Sequence, residues 1–116
     1  MGIASSKATI KAALVGIDVI DIDQAELCES GTFILYDGGE RTSVGIVERV
    51  FCILCAGFSL GGSSDLLSAV ESIEHKLYQA SLEDIYISHT RTHPVVIAEN
   101  GLCIYRIDVK IIDMES

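Results

Sequence analysis

The stretch that most constrains the fold of this chain is a long run of strand-forming residues, Val44–Phe58. Beyond Val50 the residues at both odd and even positions are apolar. Because successive side chains of a β-strand point to opposite faces of its sheet, a strand that is apolar on both faces needs cover on both. The sequence therefore predicts a central strand, and Glu48 and Arg49 mark the point at which it emerges from the core.

The segment after this strand predicts an amphipathic helix over residues 64–80. Gly61 and Gly62 break the strand, and Ser63 or Ser64 is placed to cap the helix. Apolar residues then recur at intervals of four, three and four, which places them on one helical face. They are Leu66, Val70, Ile73 and Leu77, with Leu67 and Ala69 widening the face. We expect this face to pack across the sheet.

The N-terminal residues predict shorter elements. Residues 5–14 favour a short helix that Ser5 or Ser6 caps and Gly16 ends. The next segment, Ile17–Ile22, does not alternate cleanly and is compatible with a short strand or with an extended link.

Two hairpins complete the predicted sheet. A β-rich run, Thr32–Tyr36, is followed by Asp37-Gly38-Gly39, which predicts a turn into the central strand. Ile85–Thr90 predicts a further strand, and Pro94 interrupts it, which is typical of an edge strand or a loop. Val95–Ile97 is then expected to form the second hairpin with the closing strand.

The closing strand, Leu102–Ile112, follows a second turn signal at Asn100-Gly101 and shows the cleanest alternation in the chain. Its odd positions are apolar, whereas Arg106, Asp108 and Lys110 face away. The chain is therefore expected to form one α+β domain over residues 1–116. Its fold is a mostly antiparallel, twisted sheet of about four to six strands packed with two helices, the N-terminal helix and residues 64–80.

The composition indicates more apolar surface than a small domain can bury. Hydrophobic residues make up 49% of the chain and the mean hydropathy is +0.42. No apolar run approaches the roughly 20 residues that span a bilayer, so burial between subunits is favoured over a membrane. Met1–Ser6 matches an N-myristoylation pattern, but helix capping explains the same residues more simply.

The charge of the chain argues against direct binding of nucleic acid. The net charge is −9, with 17 acidic and 8 basic residues, whereas phosphate contacts need clustered Lys and Arg. An acidic protein could still line a passage through which DNA slides without sticking, although solubility explains the charge equally well.

The sequence contains two pairs of potential metal ligands. Cys52 and Cys55 form a C-x-x-C, but residues three apart on a strand point to opposite faces, so two buried apolar thiols are favoured over a zinc or redox pair. His89 and His93 would lie on the same side of a continuous strand, but no third ligand is evident. We therefore expect no metal and no cofactor, and His75 is expected on the surface of the helix.

The order of these elements resembles that of tail terminator (tail completion) proteins of long-tailed bacteriophages, including the Mu-like and lambda minor tail protein U groups. The resemblance covers about residues 5–112. It is best in the Arg49-Val50-Phe51 run that opens the central strand, in the Leu66–Leu77 helix and in the Gly101–Ile112 strand.

The resemblance implies a structural virion protein and not an enzyme. Such proteins form a ring, usually of six subunits, that caps the tail tube, stops its polymerisation and joins the tail to the neck or head. The implied partners are further copies of the chain, the tail tube protein, the sheath in a contractile tail, and a neck or head-completion protein, with DNA passing through the lumen. The implied location is the virion tail or neck, after assembly in the bacterial cytoplasm. The alternatives are another neck or head–tail connector ring protein, or a small metal- or ligand-binding enzyme that uses His89 and His93.

Contacts in such a ring are expected at the polar face of the closing strand and at the turns that flank the central block. The expected turns are Asp37–Thr42 and His93–Asn100. The candidate contact residues are Arg41, Arg49, Arg91, Arg106, Asp108 and Lys110.

Overall fold

The computed structural model describes residues 2–22, 30–58, 64–84, 86–97 and 102–114. In chain order its elements are α1 (Ile3–Ala13), β1 (Val19–Asp21), β2 (Gly31–Ser43), β3 (Ile46–Phe58), α2 (Ser64–Glu83), β4 (Ile87–Ile97) and β5 (Leu102–Met114). The predicted α+β fold, with a mostly antiparallel sheet and two helices, is confirmed.

The five strands form one open sheet in the order β1-β2-β3-β5-β4. β3 is central, as predicted, and is antiparallel both to β2 and to β5. The short β1 runs parallel to β2 and pairs with only three of its residues, Thr32–Ile34. The expected interruption at Pro94 was wrong, because β4 continues through it to Ile97 with a shift in register between Pro94 and Val96. Of the two positions expected for Pro94, an edge strand or a loop, the structure shows the edge strand, since β4 pairs only with β5 among the described strands.

Both helices lie on one face of the sheet, which we call the helix-covered face. The odd-numbered core residues of β3, Phe51, Ile53 and Cys55, pack there with apolar residues of α1 and α2. The even-numbered residues, such as Cys52 and Leu54, belong to a second cluster that contains no helix residue. Because no helix of the described residues lies on this second side, we call it the helix-free face. The residues of β3 from 51 to 56 are buried on both faces, which confirms the doubly apolar reading of the strand.

The first half of β3 departs from the prediction at Arg49. This residue was expected to mark the emergence of the strand, yet only 12% of its side chain is exposed, because it is paired with the fully buried Asp113. Glu48, on the opposite face, is partly exposed.

The turn that joins β2 to β3 is not where the sequence placed it. Asp37-Gly38-Gly39 lies inside β2, where a shift in register at Asp37 indicates a β-bulge, and Gly38 has a φ of +130°. The chain reverses at Val44-Gly45, between the paired residues Ser43 and Ile46, and the φ of +78° at Gly45 suits such a two-residue turn. The predicted turn was therefore wrong, and the hairpin extends further than expected.

The two helices match the predicted positions more closely than the predicted caps. α1 begins at Ile3 with Gly2 as its N-cap, so neither Ser5 nor Ser6 caps it, and Ser6 is buried instead. The predicted end of α1 fits the positive φ of Gly16, just beyond the helix.

α2 buries the four predicted residues, Leu66, Val70, Ile73 and Leu77. Leu67 and Ala69 are exposed, so the buried face is narrower than predicted. The exposed position of His75 is as predicted, whereas the expected cap at Ser63 falls outside the described residues.

β5 is regular along its whole length and pairs with β3 without a bulge. The odd positions from Ile107 to Ile111 are buried, and Arg106, Asp108 and Lys110 lie on the opposite, helix-free face, as predicted. The Asn100-Gly101 turn lies outside the described residues, but β4 and β5 do form the antiparallel pair that it predicted.

Candidate interaction surface

The helix-free face carries a network of ion pairs beside its apolar cluster. Arg106 donates a hydrogen bond of 2.6 Å from Nη2 to Asp37 and one of 2.7 Å from Nε to Asp108. Lys110 Nζ lies 3.8 Å from Glu48 Oε1. These residues come from three adjacent strands, β2, β3 and β5, so the network binds the surface of the sheet together across its central strands.

Four of the six candidate contact residues lie together on this face. Arg106, Asp108 and Lys110 follow one another along β5, and Arg91 of β4 is paired in register with Asp108. Directly opposed residues of antiparallel strands share a face, so Arg91 belongs to the same surface. Arg91 is exposed.

The other two candidates lie elsewhere. Arg41 is exposed near the tip of the β2–β3 hairpin and is paired in register with the buried Val47, which belongs to the helix-covered side. Arg49 also points to that side. The proposed contact role of both residues remains a prediction.

Arg49 forms a buried cluster with two residues that were not singled out from the sequence. Its Nε donates a hydrogen bond of 2.7 Å to Asp113 Oδ2, and its Nη1 donates one of 3.1 Å to Tyr36 Oη. The Tyr36 ring packs against Phe51 with 5.1 Å between the ring centroids. The bond to Asp113 is the main cause that raises the pKa of Arg49. This cluster fastens the end of β5 to β2 and β3.

A pocket of about 350 Å³ opens on the helix-free face, beside the part of the β2–β3 hairpin that approaches its tip. It is lined by Asp37, Gly38, Gly39, Glu40, Glu48, Val50 and Lys110. Its charged lining is three carboxylates and one ammonium group, so the pocket suits a cationic side chain better than an anionic one.

The two histidines of the alternative metal site lie on opposite faces of the sheet. His89 is paired with Val109 and His93 with Arg106, and these partners are three residues apart on the regular strand β5. A bulge at Thr90 shifts the register between the two histidines, so the expectation that they share a side was wrong.

His89 belongs instead to a small polar contact beneath α2. Its Nε2 lies 2.6 Å from Thr92 Oγ1, which donates a hydrogen bond of 2.8 Å to Glu74 Oε2. Across the described ranges, no cluster of three or more His, Cys, Asp and Glu side chains is placed to hold a metal ion.

The cysteines of the C-x-x-C behave as buried apolar residues. Cys52 lies in the cluster of the helix-free face and Cys55 in the cluster beneath the helices, as the spacing predicted. Burial raises the pKa of the Cys52 thiol to about 12 and that of the Cys55 thiol to about 11. Two protonated thiols on opposite faces do not form a joint metal or redox site.

Comparison of the sequence with protein-family models and with curated proteins finds no match. No helix within the described residues is both long and apolar enough to cross a membrane.

Proposed function

We propose that this chain is a structural protein of a long-tailed bacteriophage, a tail terminator that assembles into a ring on the end of the tail tube. The ring, with six subunits expected, stops tube polymerisation and provides the surface to which the neck or head attaches. The chain has no catalytic role in this proposal.

The observation that carries the proposal is the open sheet with two different free edges. Within the described residues, β4 has a partner on one side only, and β2 is covered on its outer side only at Thr32–Ile34. A ring joins two different surfaces of each subunit head to tail, which requires such non-equivalent surfaces on opposite sides of the subunit. Free strand edges are otherwise a liability that soluble proteins avoid.

Two further features support the proposal. The β2–β3 hairpin carries a fully exposed valine, Val44, at its tip, which suits a contact with another protein. The excess of acidic residues suits a ring through which DNA moves without being bound. The order of the elements, which resembles that of the tail terminators, provides the specific assignment.

The first test is the oligomeric state. Native mass spectrometry and light scattering should give a hexamer, or a monomer that assembles only when tail tubes are added. A stable monomer that carries zinc and loses it on His89→Ala would contradict the proposal and favour the small metal-binding enzyme.

The second test measures tube growth. The tail tube protein from the same genome is polymerised with increasing amounts of the chain, and tube lengths are measured by electron microscopy. We expect shorter tubes with a ring of density at one end. An Ile73→Asp variant, which places a charge in the core, is the matched control and should leave the lengths unchanged. A connector ring would instead bind finished tails without affecting tube growth.

A further inference from the structure

Two exposed, oppositely charged residues lie at opposite edges of the sheet on the same face. Arg91 is on β4 and Glu40 on β2, and both side chains are exposed. Neither residue has an ion-pair partner in the part of the chain that the structure describes. Both belong to the helix-free face, because Glu40 is paired with Glu48 and Arg91 with Asp108, whose partner is Cys52.

The strand directions allow these two edges to meet in a head-to-tail assembly. β2, β3, β5 and β4 alternate in direction, so β4 runs opposite to β2. A second copy placed beside the first in the same orientation therefore offers a β2 that is antiparallel to the first copy's β4. This is the pairing that continues an antiparallel sheet from one subunit to the next.

The positions along the strands define the offset between the copies. Arg91 lies level with Asp108, and Glu40 lies level with Ile112 through its partner Glu48, so the two charges are four residues apart along β5. A shift by that number of residues corresponds to about 13 Å along the strands. Because the number is even, the shift keeps both charges on the same face. Closed sheets acquire such a stagger when their strands tilt from the ring axis.

The pocket beside Glu40 provides a place for the guanidinium. Glu40 and Glu48 both line it, and Lys110 already lies 3.8 Å from Glu48, so Glu40 is the carboxylate that an incoming cation would meet. The open outer edge of β2 begins after Ile34 and includes the bulge at Asp37 that widens this region.

We propose that a second copy of this chain docks through its β4 edge on the outer edge of β2, and that its Arg91 enters the pocket beside Glu40. The proposal rests on the ring assembly proposed above and names the surfaces that form each junction. Ring formation then requires both residues in every subunit, one at each junction.

A charge exchange between two variants tests the junction. Arg91→Glu alone places two acidic groups at every junction, and Glu40→Lys alone places two basic groups there. We expect each variant alone to assemble at least tenfold more weakly than the wild type, in solution or on tube ends. In an equimolar mixture the two variants can alternate, which restores opposite charges at every junction, so assembly should return to within about threefold of the wild type.

The controls carry the same changes of net charge on α2. Lys76→Glu matches Arg91→Glu, and Glu71→Lys matches Glu40→Lys, and both should assemble like the wild type. Unchanged thermal melts by circular dichroism establish that all four variants fold.

The outcomes separate this inference from the proposed function. Wild-type rings together with unaffected single variants would overturn the junction and leave the ring proposal standing. Single variants that fail to assemble and are not restored by mixing would also overturn the junction. A wild type that stays monomeric both alone and with tubes would overturn both proposals.

Discussion

Replacing Arg49 by methionine should destabilise the fold much more than the same replacement of Arg106. The change keeps most of the apolar stem but removes the hydrogen bonds to Asp113 and Tyr36, at 2.7 and 3.1 Å. Asp113 is fully buried, so its carboxylate would lose the guanidinium without gaining water. Removing one partner of a buried pair costs about 3–5 kcal/mol, because the remaining charge stays in the core without that partner.

Arg106 provides a matched comparison, because its bonds are equally short. Its guanidinium binds two carboxylates at 2.6 and 2.7 Å, but 29% of its side chain is exposed. Water can solvate the carboxylates that Arg106→Met leaves behind, so we expect a loss of only about 1 kcal/mol. The difference in the loss of stability between the two variants therefore reports the effect of burial and not of bond length.

The measurement is urea unfolding followed by far-ultraviolet circular dichroism, since the chain contains no tryptophan. A typical domain is stable by about 5–15 kcal/mol, so the expected loss for Arg49→Met is a large part of the total. The double variant Arg49→Met/Asp113→Leu should recover much of the loss, because it removes both charges together. A loss below about 1 kcal/mol for Arg49→Met, or an equal loss for Arg106→Met, would refute the reasoning.

Three further predictions concern the core, the bulge and the thiols. Ile73→Ala on the buried face of α2 should cost about 2–5 kcal/mol in urea unfolding, whereas Leu67→Ala on the exposed face should change stability by less than about 0.5 kcal/mol. Gly39→Ala should lower the free energy of unfolding by about 1–3 kcal/mol, because the new β-carbon would lie 2.6 Å from Tyr36 Oη. The loss should be smaller in a Tyr36→Phe background, and an equal loss in both backgrounds would contradict this cause. Folding raises the pKa of the Cys55 thiol to about 11. The stability that this neutral thiol contributes is therefore complete below the unfolded pKa of about 8.5 and is lost as the pH rises towards about 11. Between about pH 7 and about pH 9.5, the urea midpoint should fall less in Cys55→Ala than in the wild type.

The sequence predicts those parts of the fold that depend on local periodicity. The doubly apolar half of β3, the alternation of β5 and the buried face of α2 all follow from side-chain patterns with a period of two or 3.6 residues. Each pattern depends only on the residues of its own segment, so it does not require knowledge of the tertiary contacts.

The errors arise where the structure depends on backbone conformation at a single residue. Asp37-Gly38-Gly39 has the composition of a turn, but the chain uses it as a bulge within β2, and Val44-Gly45 makes the turn. Val44 has a high strand propensity, which hid the turn signal of Gly45. The bulge at Thr90 likewise reverses the side of the residues that follow it, up to the second shift in register after Pro94, and this separates His89 from His93.

The buried pair of Arg49 and Asp113 depends on a register that the sequence does not contain. Both residues occupy odd positions on strands whose odd positions are otherwise apolar, and this was the available signal. Their contact requires the β3–β5 pairing, which joins residues 64 apart in the chain. Charges at inward positions of two different strands are therefore better interpreted as a pair than as the ends of the strands.

Arg91 differs from Arg49 and Arg106 because no carboxylate of the described residues forms an ion pair with it. The chain has 17 acidic and 8 basic residues, so the acidic residues cannot all pair with a basic one. Arg49 and Arg106 bind carboxylates, and Lys110 lies near one. Arg91 remains exposed without such a partner in the described ranges, although Asp108 is its neighbour in register. An unpaired acid in this chain needs no explanation, whereas an unpaired arginine on a carboxylate-rich sheet favours a partner outside the subunit.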